Sequence, residues 1–174
     1  TAAGSDDPGL DPAGTDDLAL IAATGHVHSS CFSYLEPELP CIRAAARRVS
    51  FDFSTLHDPA YLAQVCPHVS TAFLSGAGLA DVAVSELIAR VLDLGPDTVC
   101  VTRGDKGAVW ANGQTRIEQP IVPATVVDTM GAGDAFIAGY LVGTLRGDTP
   151  EQVLQYAAFC AAKGAWGYPL ADNP

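Results

Sequence analysis

The chain has 174 residues, room for one domain with a sizeable core and little for two. An apolar fraction of 48% excludes a disordered or fibrous chain. The formal net charge of −11 argues against a nucleic-acid partner, because phosphate backbones attract basic surfaces.

That charge leaves a single nucleotide admissible, since backbone N–H groups and a metal ion can hold its phosphates. The longest uncharged apolar stretches, such as Ala135 to Leu145, are too short to span a bilayer. No segment at the start combines a basic opening, an apolar middle and a small-residue cleavage site, so a cytoplasmic protein with no membrane partner is expected. Cys31, Cys41, Cys66, Cys100 and Cys160 are odd in number, widely spaced and free of any C-x-x-C pair, the pattern of reduced thiols.

Residues 1–14, rich in Gly, Asp, Pro and Ala, read as a loose lead-in to one α/β domain over 15–174. Thr15-Asp16-Asp17 can cap a short helix to about Ala23. His26 to Cys31 reads as a strand, and Pro37 opens a second helix running into the basic Arg43 to Arg48 end. Val49 to Ser54 alternates apolar and polar, predicting a strand with one buried face. A helix near Tyr61 to Val65 and a strand at Thr71 to Ser75 follow.

Ala80 to Leu94 carries Val84, Leu87, Ile88, Val91 and Leu92 at helical spacing, and Val99-Cys100-Val101 reads as a short buried strand. Asn112-Gly113 between Ala108–Trp110 and Thr115–Ile117 predicts a hairpin. Gly131 to Leu145 reads as a helix stopped by Gly147, and Thr149-Pro150-Glu151-Gln152 is a capping box opening a last helix to about Lys163. Repeated strand–helix alternation predicts a largely parallel, Rossmann-like sheet covered by helices on both faces, a three-layer α/β/α arrangement.

The most informative stretch is Val126 to Phe136, where two glycines mark the passage from an extended segment into an amphipathic helix. The first N–H groups of a helix lack internal partners and form an anion site, beside which Asp134 would be held. An anion hole next to a carboxylate suits phosphoryl transfer, the carboxylate orienting an attacking hydroxyl and accepting its proton. On these residues alone, an Asp that merely complements the helix dipole is an equally good reading.

Asp128-Thr129-Met130-Gly131-Ala132-Gly133-Asp134-Ala135-Phe136 resembles the D-T-x-G-A-G-D-x-F signature of the ribokinase-like (PfkB) sugar kinases. Upstream, Val101-Thr102-Arg103-Gly104-Asp105-Lys106-Gly107-Ala108 resembles that family's V-T-x-G-x-x-G-x element. The resemblance implies an ATP-dependent kinase acting on a small-molecule sugar, with Mg2+ and in many members K+. It implies Asp134 as catalytic base and Gly131, Ala132 and Gly133 as anion hole. By the same resemblance ATP contacts Thr102 and the Gly104-Asp105-Lys106-Gly107 turn, and the monovalent cation lies near Asp128 and Met130. A homodimer of the full-length parent is also implied.

His28-Ser29-Ser30, Ser50 to Ser54 and Gly164 to Tyr168 are similar to the fructoselysine 6-kinase branch. Two departures stand out. Ser75-Gly76-Ala77-Gly78 occupies the place of the family's N-x-x-E element, and nothing before Thr1 resembles the family's opening strands, sugar-contacting glycine pair and β-sheet lid. An edge of the sheet is therefore expected to lie bare. The rival reading is a truncated, non-catalytic module that binds a nucleotide or a partner chain.

Further candidates are less specific. His26 and His28 alternate on one strand face and could touch a metal or substrate, although strand histidines are more often structural. Asp52, at a strand's C-terminal end, could position metal or phosphate or merely anchor the loop. Gly139, Gly143 and Gly147 recur every four residues, as close helix packing requires, and Ala157, Ala158, Ala161 and Ala162 could leave room for an adenine ring.

Overall fold

Hydrophobic runs of four to five residues alternate with capped amphipathic segments, and each becomes the element its period dictates. The computed structural model describes residues 14–124 and 129–164. In chain order the elements are α1 (Thr15–Thr24), β1 (His26–Ser30), α2 (Leu39–Ala45), β2 (Arg48–Asp52), α3 (Pro59–Val65) and β3 (Thr71–Ser75). Then follow α4 (Asp81–Asp93), β4 (Thr98–Thr102), β5 (Ala108–Asn112), β6 (Arg116–Gln119), α5 (Ala132–Arg146) and α6 (Pro150–Gly164).

The six strands form one sheet in sequential order, β1 through β6. Pairings β1–β2, β2–β3 and β3–β4 are parallel, and β5 and β6 add antiparallel at one side. Among the described residues β1 is the outer strand on the opposite side.

Strand side chains alternate between faces, and the sheet separates two cores. On one face Val49, Phe51, Ala72, Leu74, Val99, Val101 and Val109 pack with Ile42 of α2, Leu62 of α3 and Val84, Leu87, Ile88 and Val91 of α4. On the other, Phe73, Cys100 and Trp110 meet Phe136, Ile137 and Tyr140 of α5 and Leu154 and Ala157 of α6. This is the three-layer arrangement expected from the alternation of elements.

Several local expectations are corrected. Strand β2 is buried on both faces rather than one, because Ser50 lies under the second core layer while Val49 and Phe51 face the first. The cap of α1 is Gly14, whose N–H donates to the Asp17 carboxylate at 3.1 Å. Pro37 sits in a 3-10 turn, Glu36–Glu38, before α2, and Arg48 already belongs to β2. The expected capping box of α6 forms: Thr149 N–H donates to Gln152 Oε1 at 3.0 Å and Gln152 N–H to Thr149 Oγ1 at 3.4 Å.

The glycine series of α5 divides. A Cβ on Gly139 would lie 2.9 Å from Ala157 Cα and from Cys160 Sγ, and one on Gly143 3.2 Å from Val153 Cα. These two glycines let α5 and α6 approach. Gly147 has open space around it and a φ of 79°, so it ends the helix in a left-handed cap instead.

An exposed helix gains about 1 kcal/mol when Gly becomes Ala. Gly139→Ala is expected to do the reverse and lose about 1–3 kcal/mol through overpacking against the α6 backbone. Urea denaturation of the two chains measures the difference; an unchanged or raised midpoint would show that α5 and α6 are not in contact there.

Candidate active site

Parallel pairing carries the C-terminal ends of β3 and β4 to one edge of the sheet, with Ser75 opposite Thr102. Beyond them the chain leaves in two glycine-bearing turns. Gly76 N–H donates to the Thr102 carbonyl at 2.7 Å. After β4, Gly104 to Lys106 winds into a 3-10 turn ended by Gly107.

Gly107 has φ 80° and ψ −134°, and a Cβ there would run into the Gln119 carbonyl, so glycine is required on both counts. Arg103 clasps the turn. Its backbone N–H donates to the Gly107 carbonyl at 2.7 Å, and its guanidinium reaches the Lys106 carbonyl at 3.1 Å and Asp81 at 3.4 Å.

A cleft of about 540 Å³ opens above these ends. Thr102, Gly104, Asp105 and Gly107 line one side and Thr129, Ala132 and Gly133 another. The remaining wall is apolar, built from Pro120, Ile121, Val122, Phe136 and the alanines Ala158, Ala161 and Ala162 of α6. Ala157, grouped with those alanines in the sequence, instead lies fully buried in the core beneath α5. The cleft thus offers backbone-rich glycine turns at one end and a narrow hydrophobic slot at the other, dimensions and chemistry that suit a nucleotide.

Helix α5 begins at the rim. Gly131 caps it in the left-handed region, φ 77°, and neither Gly131 nor Gly133 has any atom within 4 Å of where a side chain would stand. Ala132 N–H is turned to the Thr129 carbonyl at 3.1 Å, and Ala135 N–H bonds back to Gly131. Of the Gly131–Gly133 set the motif suggests, Ala132 has its N–H turned to the protein, while the Gly131, Gly133 and Asp134 N–H groups have no backbone partner among the described residues. The far end of α6 supports the same turn: a Cβ on Gly164 would stand 3.0 Å from Ala135 Cβ and 3.6 Å from Ala132 Cα.

Asp134 is exposed on the first turn of α5, on the side away from the nucleotide-sized cleft. Its charge is felt by two groups at the β1–β2 end of the sheet, Asp52 and His28. Asp52 is half-buried, and its Oδ1 accepts the Ser54 N–H at 2.8 Å. Burial pushes its carboxyl above the usual range and the Asp134 charge adds to the shift, against the opposing pull of the Ser54 N–H and His28.

The structure does not bring every candidate together. Lys106 points away from the cleft toward Asp81, 4.0 Å off, and Met130 is 84% exposed. Asp128 lies outside the described residues, as does Ala165 to Tyr168. Among the described residues no group of three His, Cys, Asp or Glu side chains converges as a metal site. No described helix is long and apolar enough to cross a membrane. Sequence reasoning gave Ser75 and Phe136 no place in the cleft and missed the wall after β6; the register of β3 with β4 brings Ser75 there, α5 brings Phe136, and the antiparallel return of β6 brings the wall.

A glycine-lined cleft lies at the C-terminal ends of parallel strands, the place where open α/β sheets bind their ligands. The profile of the pfkB family of carbohydrate kinases matches residues 55–164, and the chain belongs to that family. It is 41% identical over 157 residues to the fructosamine kinase FrlD of Bacillus subtilis, covering 87% of this chain and 55% of that protein. It is 36% identical over 156 residues to the fructoselysine 6-kinase of Shigella flexneri, covering 87% of this chain and 59% of that protein. The chain thus spans little more than half the length of the curated relatives it matches. Among solved structures, ribokinase of Arabidopsis thaliana complexed with ribose and ATP superposes with a TM-score of 0.74 at 26% identity, over 86% of this chain and 52% of that one.

The raised Asp52 carboxyl has a measurable sign. The folded chain holds that proton more tightly than the unfolded chain, so the stability it contributes is fully present below the unfolded pKa and is lost as pH rises through the folded pKa. Asp52→Asn, which keeps an oxygen for the Ser54 N–H, is expected to raise the melting temperature at neutral pH. The gain should shrink as pH falls through the raised pKa. A melting temperature lowered at neutral pH would show that the carboxylate is held by a favourable partner instead.

Proposed function

We propose that this chain forms the nucleotide-binding and catalytic part of an ATP-dependent sugar kinase whose acceptor is a fructosamine such as fructoselysine. The observation that carries the reading is the cleft itself. Two segments distant in sequence, Thr102–Gly107 and Thr129–Gly133, line it together, with Asp134 immediately beyond its rim.

In this reading the adenine occupies the slot against Ala158, Ala161 and Ala162, and the phosphates run over the Gly104–Gly107 turn toward the start of α5. The Gly133 and Asp134 N–H groups face the transferred phosphoryl group, where added negative charge is stabilised without reorganisation. Asp134 orients the acceptor hydroxyl and takes its proton; because phosphoryl transfer is loose, orientation matters at least as much as basicity. The acceptor class is supported by the curated relatives, which act on a fructosamine and on fructoselysine as their names state.

The described residues fit a Mg2+ ion carried in on the triphosphate better than one held by the protein. Asp105 is the single carboxylate among the residues lining the cleft, and Ser75-Gly76-Ala77-Gly78 contributes a hydroxyl where an N-x-x-E element would supply an amide and a carboxylate. Bound in that way, the ion would neutralise phosphate charge. The same sparse ligand set favours, as a second reading, a chain that binds nucleotide without turning it over. Nucleotide binding with no ADP release under any sugar would support it.

Asp134→Asn, measured in the polypeptide that carries this chain with the remainder of the family fold, separates the two roles of the residue. It keeps the helix start and removes the base. The expected result is a kcat loss of roughly 10²–10⁴-fold, with ATP affinity unchanged or slightly raised by removal of a charge near the γ-phosphate. Near-normal kcat would make Asp134 a helix-start residue only and remove the proposed mechanism.

A further inference from the structure

On the sheet face beneath α5, β1 and β2 pair with His28 opposite Ser50. The Ser50 hydroxyl is fully buried and stands near three groups: the Val27 carbonyl at 3.3 Å, His28 Nδ1 at 2.9 Å and His26 Nε2 at 3.3 Å. A hydroxyl has one proton and two lone pairs, and a carbonyl can only accept. With all three contacts made as hydrogen bonds, the proton of Ser50 goes to Val27 and both imidazoles donate to the Ser50 oxygen. That assigns the hydrogen of His28 to Nδ1 and leaves its Nε2 a bare lone pair while the ring is neutral.

Burial lowers the pKa of His28 and favours the neutral ring, against the opposing charges of Asp52 and Asp134 and a hydrogen bond with the Ser50 backbone. The ring stands edge-on to Phe73, centroids 6.0 Å apart, which fixes its plane. The imidazole is nevertheless exposed, and Nε2 has no protein partner among the described residues. The bond to Ser50 accounts for Nδ1 and leaves Nε2 unexplained.

Asp134 approaches from above the same face. It lies three residues before Ile137, hence on the side of α5 that packs against the sheet, and its charge reaches the His28 ring. The nucleotide-sized cleft lies over the ends of β3 and β4, on the other side of Asp134. In-line transfer requires the donor and the attacking hydroxyl on opposite sides of the moving phosphoryl group, with the base beside the hydroxyl. The acceptor therefore belongs over β1 and β2.

We propose that His28 is an acceptor-binding residue: its Nε2 accepts a hydrogen bond from a hydroxyl of the sugar whose neighbouring hydroxyl Asp134 orients. The inference rests on the kinase reading above. It adds a site for a polyhydroxylated acceptor with a floor of His28, Ser50 and Asp52.

Two experiments test it. The tautomer is read directly, in this chain, from long-range ¹H–¹⁵N correlation spectra of the histidine rings. Nδ1–H with an unprotonated Nε2 at His28 is expected at neutral pH, and the reverse tautomer overturns the proposal. Kinetics with fructoselysine as acceptor, in the polypeptide carrying the remainder of the family fold, then compare His28→Leu, His28→Gln and Asp134→Asn.

A lost neutral hydrogen bond corresponds to roughly 3- to 10-fold. His28→Leu is expected to raise the acceptor KM by that factor with a smaller effect on kcat and none on the ATP KM. His28→Gln, whose amide oxygen can stand where Nε2 stood, should recover most of it. An unchanged acceptor KM in His28→Leu, or equal damage to the ATP KM with no recovery in His28→Gln, overturns the proposal. If Asp134→Asn is inactive in that same experiment, the kinase reading survives the failure; if Asp134→Asn turns over normally, both fall.

Discussion

Tyr140 stands edge-on to Phe73 of β3 at 5.0 Å, while its hydroxyl accepts the indole N–H of Trp110 in β5 at 2.9 Å. These contacts bolt the middle of α5 to two strands separated by β4. An aromatic pair of this geometry contributes about 0.5–1.5 kcal/mol beyond its burial, and the hydrogen bond satisfies the polar ends of both buried rings. The position of the first turn of α5 follows from that anchor. Two turns upstream of Tyr140, Gly131 to Asp134 has no deep side chain of its own, and its place above the strand ends is inherited from the rigid part of the helix.

The opposite wall of the cleft is fixed by a different economy of groups. Arg103 spends its backbone N–H on Gly107 and its guanidinium on Lys106, Asp81 and Glu118, drawing the turn after β4 into one shape. Its side chain is only 10% exposed, but Asp81 and Glu118 are 73% and 60% exposed, so the two ion pairs are screened by solvent and the contacts to the Gly107 and Lys106 carbonyls hold the shape. In this way a chain of net charge −11 lines this end of the cleft with backbone dipoles rather than lysines.

Much of this was legible in the residues, and the pattern of success is physical. Strands β3 and β4, the β5–β6 hairpin and the α6 capping box rest on local signals, and each stands within a residue or two of its expected place. Strand β2 misled because Ser50 looks solvent-facing by type; its burial is licensed by two histidines and a carbonyl that no local pattern reveals. In the site, Thr102, Gly104, Asp105 and Gly107 could be named because a glycine turn announces itself, and Ala132 and Gly133 because a helix start does. The Pro120–Val122 wall could not, since only the return of the chain after β6 delivers it, and Ser75 and Phe136, though inside quoted motifs, gave no sign of lining the cleft. Lys106 was named by its place in a motif, yet its ammonium is turned to Asp81.

Helix α6 meets the site twice: its alanines form the apolar slot, and Gly164 at its end abuts Ala132 and Ala135 at the start of α5. Gly139 and Gly143 admit α6 along its length, so the two helices are closely packed over that span. A displacement of the slot is thus a displacement of the start of α5, as two jaws cut from one bar must move together. The practical unit of inheritance or transplantation is then the helical pair, and a graft of α5 without its matched α6 would carry the motif but lose its alignment.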